Sequence, residues 1–125
     1  MRRALAVCLF AIGCGSSDEH TTPGGSCSGA PADASGEATY YAADGTGSCS
    51  FDASPNDLLV AAMNAPDYAN AAWCGACVEV AGPTGSLVVR IVDQCPGCAH
   101  GDLDLSEEAF AMISPLSAGR VAITW

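Results

Sequence analysis

The chain has 125 residues, half of them hydrophobic, with 14 acidic side chains against four arginines and no lysine, giving a net charge of −10. That length holds one domain, and a mean hydropathy of +0.27 argues for a folded core over a disordered chain. The charge excludes nucleic acid and anionic membrane surfaces as partners, since both repel it, and leaves neutral partners such as uncharged polysaccharide.

The first residues read as a targeting signal. Met1-Arg2-Arg3 is basic, and residues 4–12 are an apolar run too short to span a bilayer as a helix. Gly13 followed by Cys14 is similar to a bacterial lipoprotein cleavage site, with Cys14 as the lipidated residue. Ala11 stands where leucine is commonest there, and an ordinary secretory signal cleaved nearby is the alternative. Residues 1–14 are thus expected to be a signal peptide. The mature chain is expected to be exported, either extracellular or held as an outer-membrane lipoprotein whose lipid is its only membrane contact. Residues 15–35 are rich in Gly, Ser, Thr, Pro and Asp without apolar periodicity, and read as a flexible linker. Cys27 lies within it and is expected to tie it back to a folded domain over residues 36–125.

Within that domain, residues 37–42 (EATYYA) favour a first strand. Residues 44–48 and 54–57 are turn-rich. The alanines of residues 58–64 permit helix, but their place between turns suits a buried strand, and residues 66–72 suggest a short helical excursion. Residues 77–81 and 86–92 flank Gly82-Pro83-Thr84-Gly85 and predict a hairpin with a four-residue turn. Ser106 is placed to cap a helix through about Ile113, with Glu107 and Glu108 favourable at its positive end; Pro115 and Gly119 stop it. Val121, Ile123 and Trp125 alternate in a last strand. Several short strands with one helix predict an all-β, small closed barrel.

Setting aside Cys8 and Cys14, six cysteines remain, an even number in an exported chain and therefore a disulfide framework whose pairing spacing alone does not choose. Trp73-Cys74-Gly75-Ala76-Cys77 is similar to a thioredoxin redox motif, but it runs into strand-like Val78-Glu79-Val80 where that motif requires a helix to lower the thiol pKa. Two C-x-x-C pairs separated by 17 residues also satisfy a zinc-ribbon spacing. Export to an oxidising compartment, and the pair Cys27 and Cys49 left over, weigh against zinc. A single loop histidine, His100, adds no metal site, and no cofactor is expected.

The most informative stretch is residues 91–106, IVDQCPGCAHGDLDLS. It enters from a β-branched run and leaves into the helix, setting Asp93 at a strand end and Asp104 just before the helix with a clamped loop between. Carboxylates held this way suit glycoside chemistry or sugar binding. Their structural alternative is capping of backbone N–H groups, but Ser106 is better placed for the helix cap, leaving Asp104 freer.

With these residues in hand the domain resembles the expansins, and most closely their single-domain, loosenin-like or microbial members. The resemblance is carried by Gly36-Glu37-Ala38-Thr39-Tyr40-Tyr41, Gly47-Ser48-Cys49-Ser50-Phe51, Cys74-Gly75, Val92-Asp93-Gln94-Cys95-Pro96-Gly97-Cys98, Gly101-Asp102-Leu103-Asp104-Leu105-Ser106 and Ile123-Thr124-Trp125, in family order. It implies a six-stranded double-psi β-barrel, disulfide-stapled through Cys49–Cys74 and Cys95–Cys98, with an open polysaccharide groove. Cys77 is left for Cys27. Asp104 matches the acid that expansins share with related endoglucanases; Asp93 and Thr39 match polar residues of the same groove. Tyr41 stands where some bacterial relatives carry threonine, and with Asp102 and Trp73 completes the candidate substrate-binding set, Trp73 offering either a sugar-stacking face or core packing.

Inverting hydrolysis needs a second carboxylate roughly 6.5–9.5 Å across the groove. In the related endoglucanases it follows the first-strand tyrosine by two residues, a position held here by Ala43, with Asp44 one residue further on a loop. The default expectation is therefore a monomeric, non-hydrolytic protein that binds and loosens neutral β-glucan such as cellulose or xyloglucan. A peptidoglycan lytic transglycosylase of the rare-lipoprotein-A type is the alternative, since it needs one acid only, although Asp93 is followed by Gln-Cys-Pro-Gly-Cys where those enzymes carry Arg-Gly-Pro. A weak endoglucanase using Asp44, and a disulfide-stapled inhibitor or structural module, are the remaining readings.

Overall fold

The computed structural model describes residues 34–125. The expected leader with Cys14, and Cys27 with most of the linker, lie outside the described residues. Six strands form the domain: β1 (Ser35–Tyr41), β2 (Val60–Asn64), β3 (Cys77–Gly82), β4 (Gly85–Cys95), β5 (Leu103–Ser106) and β6 (Val121–Thr124). Two α-helices, α1 (Ala65–Tyr68) and α2 (Glu107–Ile113), and a 3-10 turn at Leu116–Ala118 complete it. The strands close in the order β1-β5-β2-β4-β3-β6, with β1/β5 and β2/β4 parallel and the other pairs antiparallel. This is the expected double-psi barrel.

β2 sits between β4 and β5, so both its edges are paired, and all five of its residues are buried. Small side chains such as Ala61 and Ala62 suit that crowding, which explains why the segment lacks the alternation of a half-exposed strand. Elsewhere period-two alternation holds: Leu103 and Leu105 of β5 point inward, as do Ala38 and Tyr40 of β1, where the Tyr40 ring meets Phe110 of α2 at 4.9 Å between centroids. Phe110, Ile113 and Ala109 pack α2 onto the core formed by Met63, Ile91, Val80 and Val89. Ser106 caps α2 as expected, accepting from the Ala109 N–H at 3.1 Å while its own hydroxyl donates to the Leu58 carbonyl.

Two elements differ from the sequence reading. β1 starts at Ser35, because Ala34 exchanges two backbone hydrogen bonds with Trp125 and draws the chain into the sheet early. The β3–β4 hairpin pairs Gly82 with Gly85, leaving a two-residue turn, Pro83-Thr84, in place of the expected four. Asp104 stands just before the helix as expected, inside the short strand β5, which is held on both sides by β1 and β2.

Two disulfides join as expected, Cys49–Cys74 and Cys95–Cys98, both with Cα atoms 5.4 Å apart. They close loops of 25 and 3 residues of separation, so on chain-entropy grounds the first contributes about 3.5 kcal/mol and the second about 1.5 kcal/mol. Tyr68 packs its hydroxyl against the first, 3.2 Å from Cys74 Sγ. Cys77 is engaged and not free, and the pairing expected for it with Cys27 lies outside the described residues. No helix among the described residues is long and apolar enough to cross a membrane.

Candidate functional site

The strand register builds a row of side chains across the outside of the barrel. Thr39 of β1 is paired with Asp104 of β5, Asp104 with Ala62 of β2, and Ala62 with Asp93 of β4. Neighbouring strands lie about 4.8 Å apart, so the Asp104 and Asp93 backbones flank the small Ala62 floor roughly 10 Å from one another. Asp93 joins the row through a β-bulge: between Ala61 and Ala62 the partner on β4 jumps from Ile91 to Asp93. The extra residue, Val92, reverses the alternation and turns Asp93 outward while Val92 itself stays fully buried.

The carboxylates in and around this row are held differently. Asp104 Oδ1 accepts from the Thr39 hydroxyl at 2.7 Å, its sole hydrogen bond among the described residues. Asp93 commits one oxygen to backbone, accepting from the Ser48 and Gln94 N–H groups at 2.7 and 2.8 Å. Gly47 makes that approach possible: a Cβ there would fall 2.4 Å from Asp93 Cγ. Asp44 accepts from the hydroxyl and the N–H of Thr46, and these two bonds, the hydroxyl's foremost, hold its carboxyl below the usual range.

Tyr41 lies two residues beyond Thr39 on the same face of β1. Its hydroxyl is buried and without a hydrogen-bond partner among the described residues. Burial first, then the charges of Asp93, Asp104 and Asp44, push its pKa up to about 12, so the phenol stays protonated and able to donate at neutral pH. The same three charges acting on one hydroxyl mark the point on which these acidic groups converge.

The other candidates sit apart from this row. Asp102 precedes β5 and its carboxylate accepts from the backbone N–H groups of Glu37 at 2.8 Å and Ala99 at 3.2 Å, tying the Cys95–Cys98 loop to β1. Trp73 packs against the core and stands edge-on to Trp125, with ring centroids 6.3 Å apart. A second acidic centre, not anticipated from sequence, lies beneath the same loop. Asn64, fully buried, donates to Asp67 Oδ2 at 2.7 Å and accepts from the Asp67 N–H. Asp67 also accepts from the Gly101 N–H at 2.9 Å and faces His100 Nδ1 at 2.8 Å. The helix-start signal Asn64-Ala65-Pro66-Asp67 was the available clue. Among the described residues no three His, Cys, Asp or Glu side chains are grouped so as to hold a metal.

Comparison with known proteins places this geometry. The profile of the lytic transglycolase family matches residues 33–125. The chain is 39% identical over 97 residues to a papain inhibitor of Streptomyces mobaraensis, covering 72% of this chain and 68% of that protein. It is 36% identical over 95 residues to an expansin of Bacillus subtilis, covering 72% of this chain and 41% of the expansin. An aspartate-to-asparagine mutant of a Clavibacter michiganensis expansin, solved in complex with cellohexaose, superposes with a TM-score of 0.70 at 40% identity, over 74% of this chain and 48% of that one. The chain thus spans about half the length, or less, of the expansins it matches. With its profile match, its closed six-stranded barrel and these relatives, the chain belongs to this double-psi β-barrel family, as a microbial expansin-like member of it.

Proposed function

We propose that this protein is exported and binds neutral β-glucan chains in the Thr39–Asp104–Ala62–Asp93 row, loosening the wall without hydrolysing it. The observation that carries the reading is the pairing of an acid held by one hydroxyl with a buried phenol that has no partner among the described residues. Asp104 retains free acceptor capacity beside Thr39, and Tyr41 brings a protonated donor to the same face. Sugar hydroxyls donate and accept at once, so a glucan chain satisfies both groups where an apolar ligand would leave the Tyr41 hydroxyl unpaired. Asp93 lines the far side of the floor, and Asp102 and Trp73 support the frame around it.

The mechanism that follows is displacement, not bond cleavage. Asp104 accepts from a sugar hydroxyl of a bound chain, competing with the contacts that chain makes to its neighbours in the wall. Cleavage by inversion would require a free base across the floor, and the carboxylate that stands there, Asp93, has one oxygen committed to the Ser48 and Gln94 N–H groups. Ala43 has no titratable group, and Asp44 is held by Thr46 below the usual carboxylate range, which makes it a weak proton acceptor. The cellohexaose complex of the Clavibacter expansin supports a glucan as ligand, and the high negative charge disfavours anionic glycans.

Two other readings have specific support. The family profile carries a lytic transglycosylase description, and such chemistry needs one acid, which Asp104 supplies. The papain inhibitor relative supports a protease-binding role. One experiment separates all three. The disulfide-intact domain and Asp104→Asn are incubated with cellulose paper, xyloglucan and peptidoglycan, and are assayed for paper weakening, released reducing ends, anhydro-muropeptides and papain inhibition. Weakening without released sugar, lost in Asp104→Asn, is the expected outcome. Anhydro-muropeptides from the wild type overturn it in favour of a transglycosylase, reducing ends in favour of an endoglucanase, and papain inhibition without glucan binding in favour of the inhibitor.

A further inference from the structure

The groove row ends at Asp93, but the outward face of β4 continues. On this strand Arg90 points outward like Asp93, and the bulge between them keeps both on one side of the barrel. Arg90 is nearly covered, with 17% of its side chain exposed, and what covers it is Phe51: the guanidinium carbon lies 5.4 Å from the ring centroid. Phe51 is 36% exposed, one of four large hydrophobic residues so placed among the described residues. Its ring therefore has a cation over one face, while more than a third of the residue is open to solvent.

Three further contacts fix that ring. Asp57 at 3.5 Å and Ser54 Oγ at 3.3 Å hold the guanidinium from below. Gly75 lies against the ring edge, where a Cβ would come within 3.2 Å of Phe51 Cζ, and its φ of +79° suits glycine. The loop itself is docked on β4 beside the groove, through Ser48 N–H to Asp93 and Cys49 N–H to the Val92 carbonyl, and is stapled by Cys49–Cys74. A flat apolar face held so firmly next to a polar floor is more than a stray surface residue. Arg90, beneath the ring, stands three strand steps from Asp93, roughly 10 Å along β4, within reach of the next sugars of a chain leaving the row.

We propose that the exposed ring of Phe51, backed by Arg90, is a stacking subsite that extends the groove and takes a pyranose ring of a neutral β-linked glucan. The axial C–H groups of such a sugar form an apolar face that matches an aromatic ring, while its equatorial hydroxyls remain in water. Asp52, next to Phe51 in the chain, Asp57 on Arg90 and the net charge of −10 disfavour anionic glycans and acidic peptides there. This inference rests on the polysaccharide reading above.

The test is the dependence of affinity on chain length, measured by calorimetry with cellobiose, cellotetraose and cellohexaose. In the wild type, affinity rises with length. Phe51→Ala is expected to remove that rise, weakening cellohexaose roughly tenfold while leaving cellobiose binding unchanged. Phe51→Leu, which still covers Arg90 but offers no flat face, should behave like Phe51→Ala, and Phe51→Trp should restore the length dependence. That pair carries the comparison if the alanine variant melts early. Equal affinities for cellohexaose in the wild type and Phe51→Leu overturn the subsite alone. If papain inhibition is lost in that same variant, the ring belongs to a protein partner. A wild type that binds no oligosaccharide of any length overturns the polysaccharide reading together with the subsite.

Discussion

The groove floor and the loop clamp beside it are built from the same residue type and use it in opposite ways. In the clamp, Asp67 and Asp102 accept from the N–H groups of Gly101, Glu37 and Ala99 and from the Asn64 amide. These carboxylates replace backbone pairing that an irregular loop cannot supply for itself. On the floor, Asp104 accepts from one hydroxyl, and Tyr41 donates to nothing among the described residues. A carboxylate whose oxygens are taken up by peptide N–H groups stabilises the fold, whereas one left with open lone pairs is available to a ligand. Asp93 lies between the two cases, with one oxygen on the Ser48 loop and the other facing the row.

This contrast can be broken most severely at Asp67. Asp67→Ala leaves one N–H of the buried Asn64 amide, whose other donates to the Asp102 carbonyl, and the Gly101 N–H without their acceptor, and is expected to cost about 3 kcal/mol of stability. Thermal or denaturant unfolding measures that loss, and glucan affinity at a temperature where the variant is folded should hold. If affinity falls as far as in Asp104→Asn, the division between anchor and ligand carboxylates fails. The same residue sets an acid limit. Burial raises the Asp67 carboxyl, but the Gly101 N–H, the Asn64 amide and His100 outweigh it, and the folded-state pKa is lowered. A lowered carboxylate contributes stability that is complete above its unfolded value of about 3.9 and is lost as pH falls through the folded value. Melting temperatures should therefore drop more steeply below about pH 4 in the wild type than in Asp67→Asn. Parallel curves would mean that other groups govern acid unfolding.

Tyr41 sharpens the contrast from the floor side. Its phenol is raised to about 12, so its contribution to stability is complete below the unfolded value near 10 and is lost as pH rises toward the folded one. An absorbance titration should show a late phenol step at about 12, and Tyr41→Phe should delete it. Removal of Asp104 and Asp93 charge by a double Asn substitution should bring that step down. An unmoved step would leave burial, with the Asp44 charge, as its cause. The smallest effect is expected at the exposed pair Arg120–Glu37, 2.9 Å apart with both side chains more than half exposed. Arg120→Ala should cost at most about 0.5 kcal/mol and leave glucan affinity unchanged, which sets the scale of an ion pair that serves neither region.

What could be read from the amino-acid order was whatever is local or carried by a motif. The capping serine, the helix through Ile113 and the all-buried alanine strand depend on neighbouring residues. The six-strand count, the two disulfides and the grouping of Thr39, Asp93 and Asp104 were legible through resemblance, since the motifs that carry them stand in family order. What depended on register was not legible from neighbouring residues. Asp93 entered the row because a bulge on β4 inserts Val92. Asp102 turned to the loop because the Glu37 and Ala99 N–H groups had no strand partner to use. The stacking of Phe51 on Arg90 joins residues 39 apart in sequence. Thr39 and Asp104 themselves are separated by 65 positions. Periodicity tells which face of a strand a residue takes. Which residue of a distant strand it meets, and whether a one-residue slip reverses that face, is decided only when the sheet closes and buries one register's apolar side chains in the core.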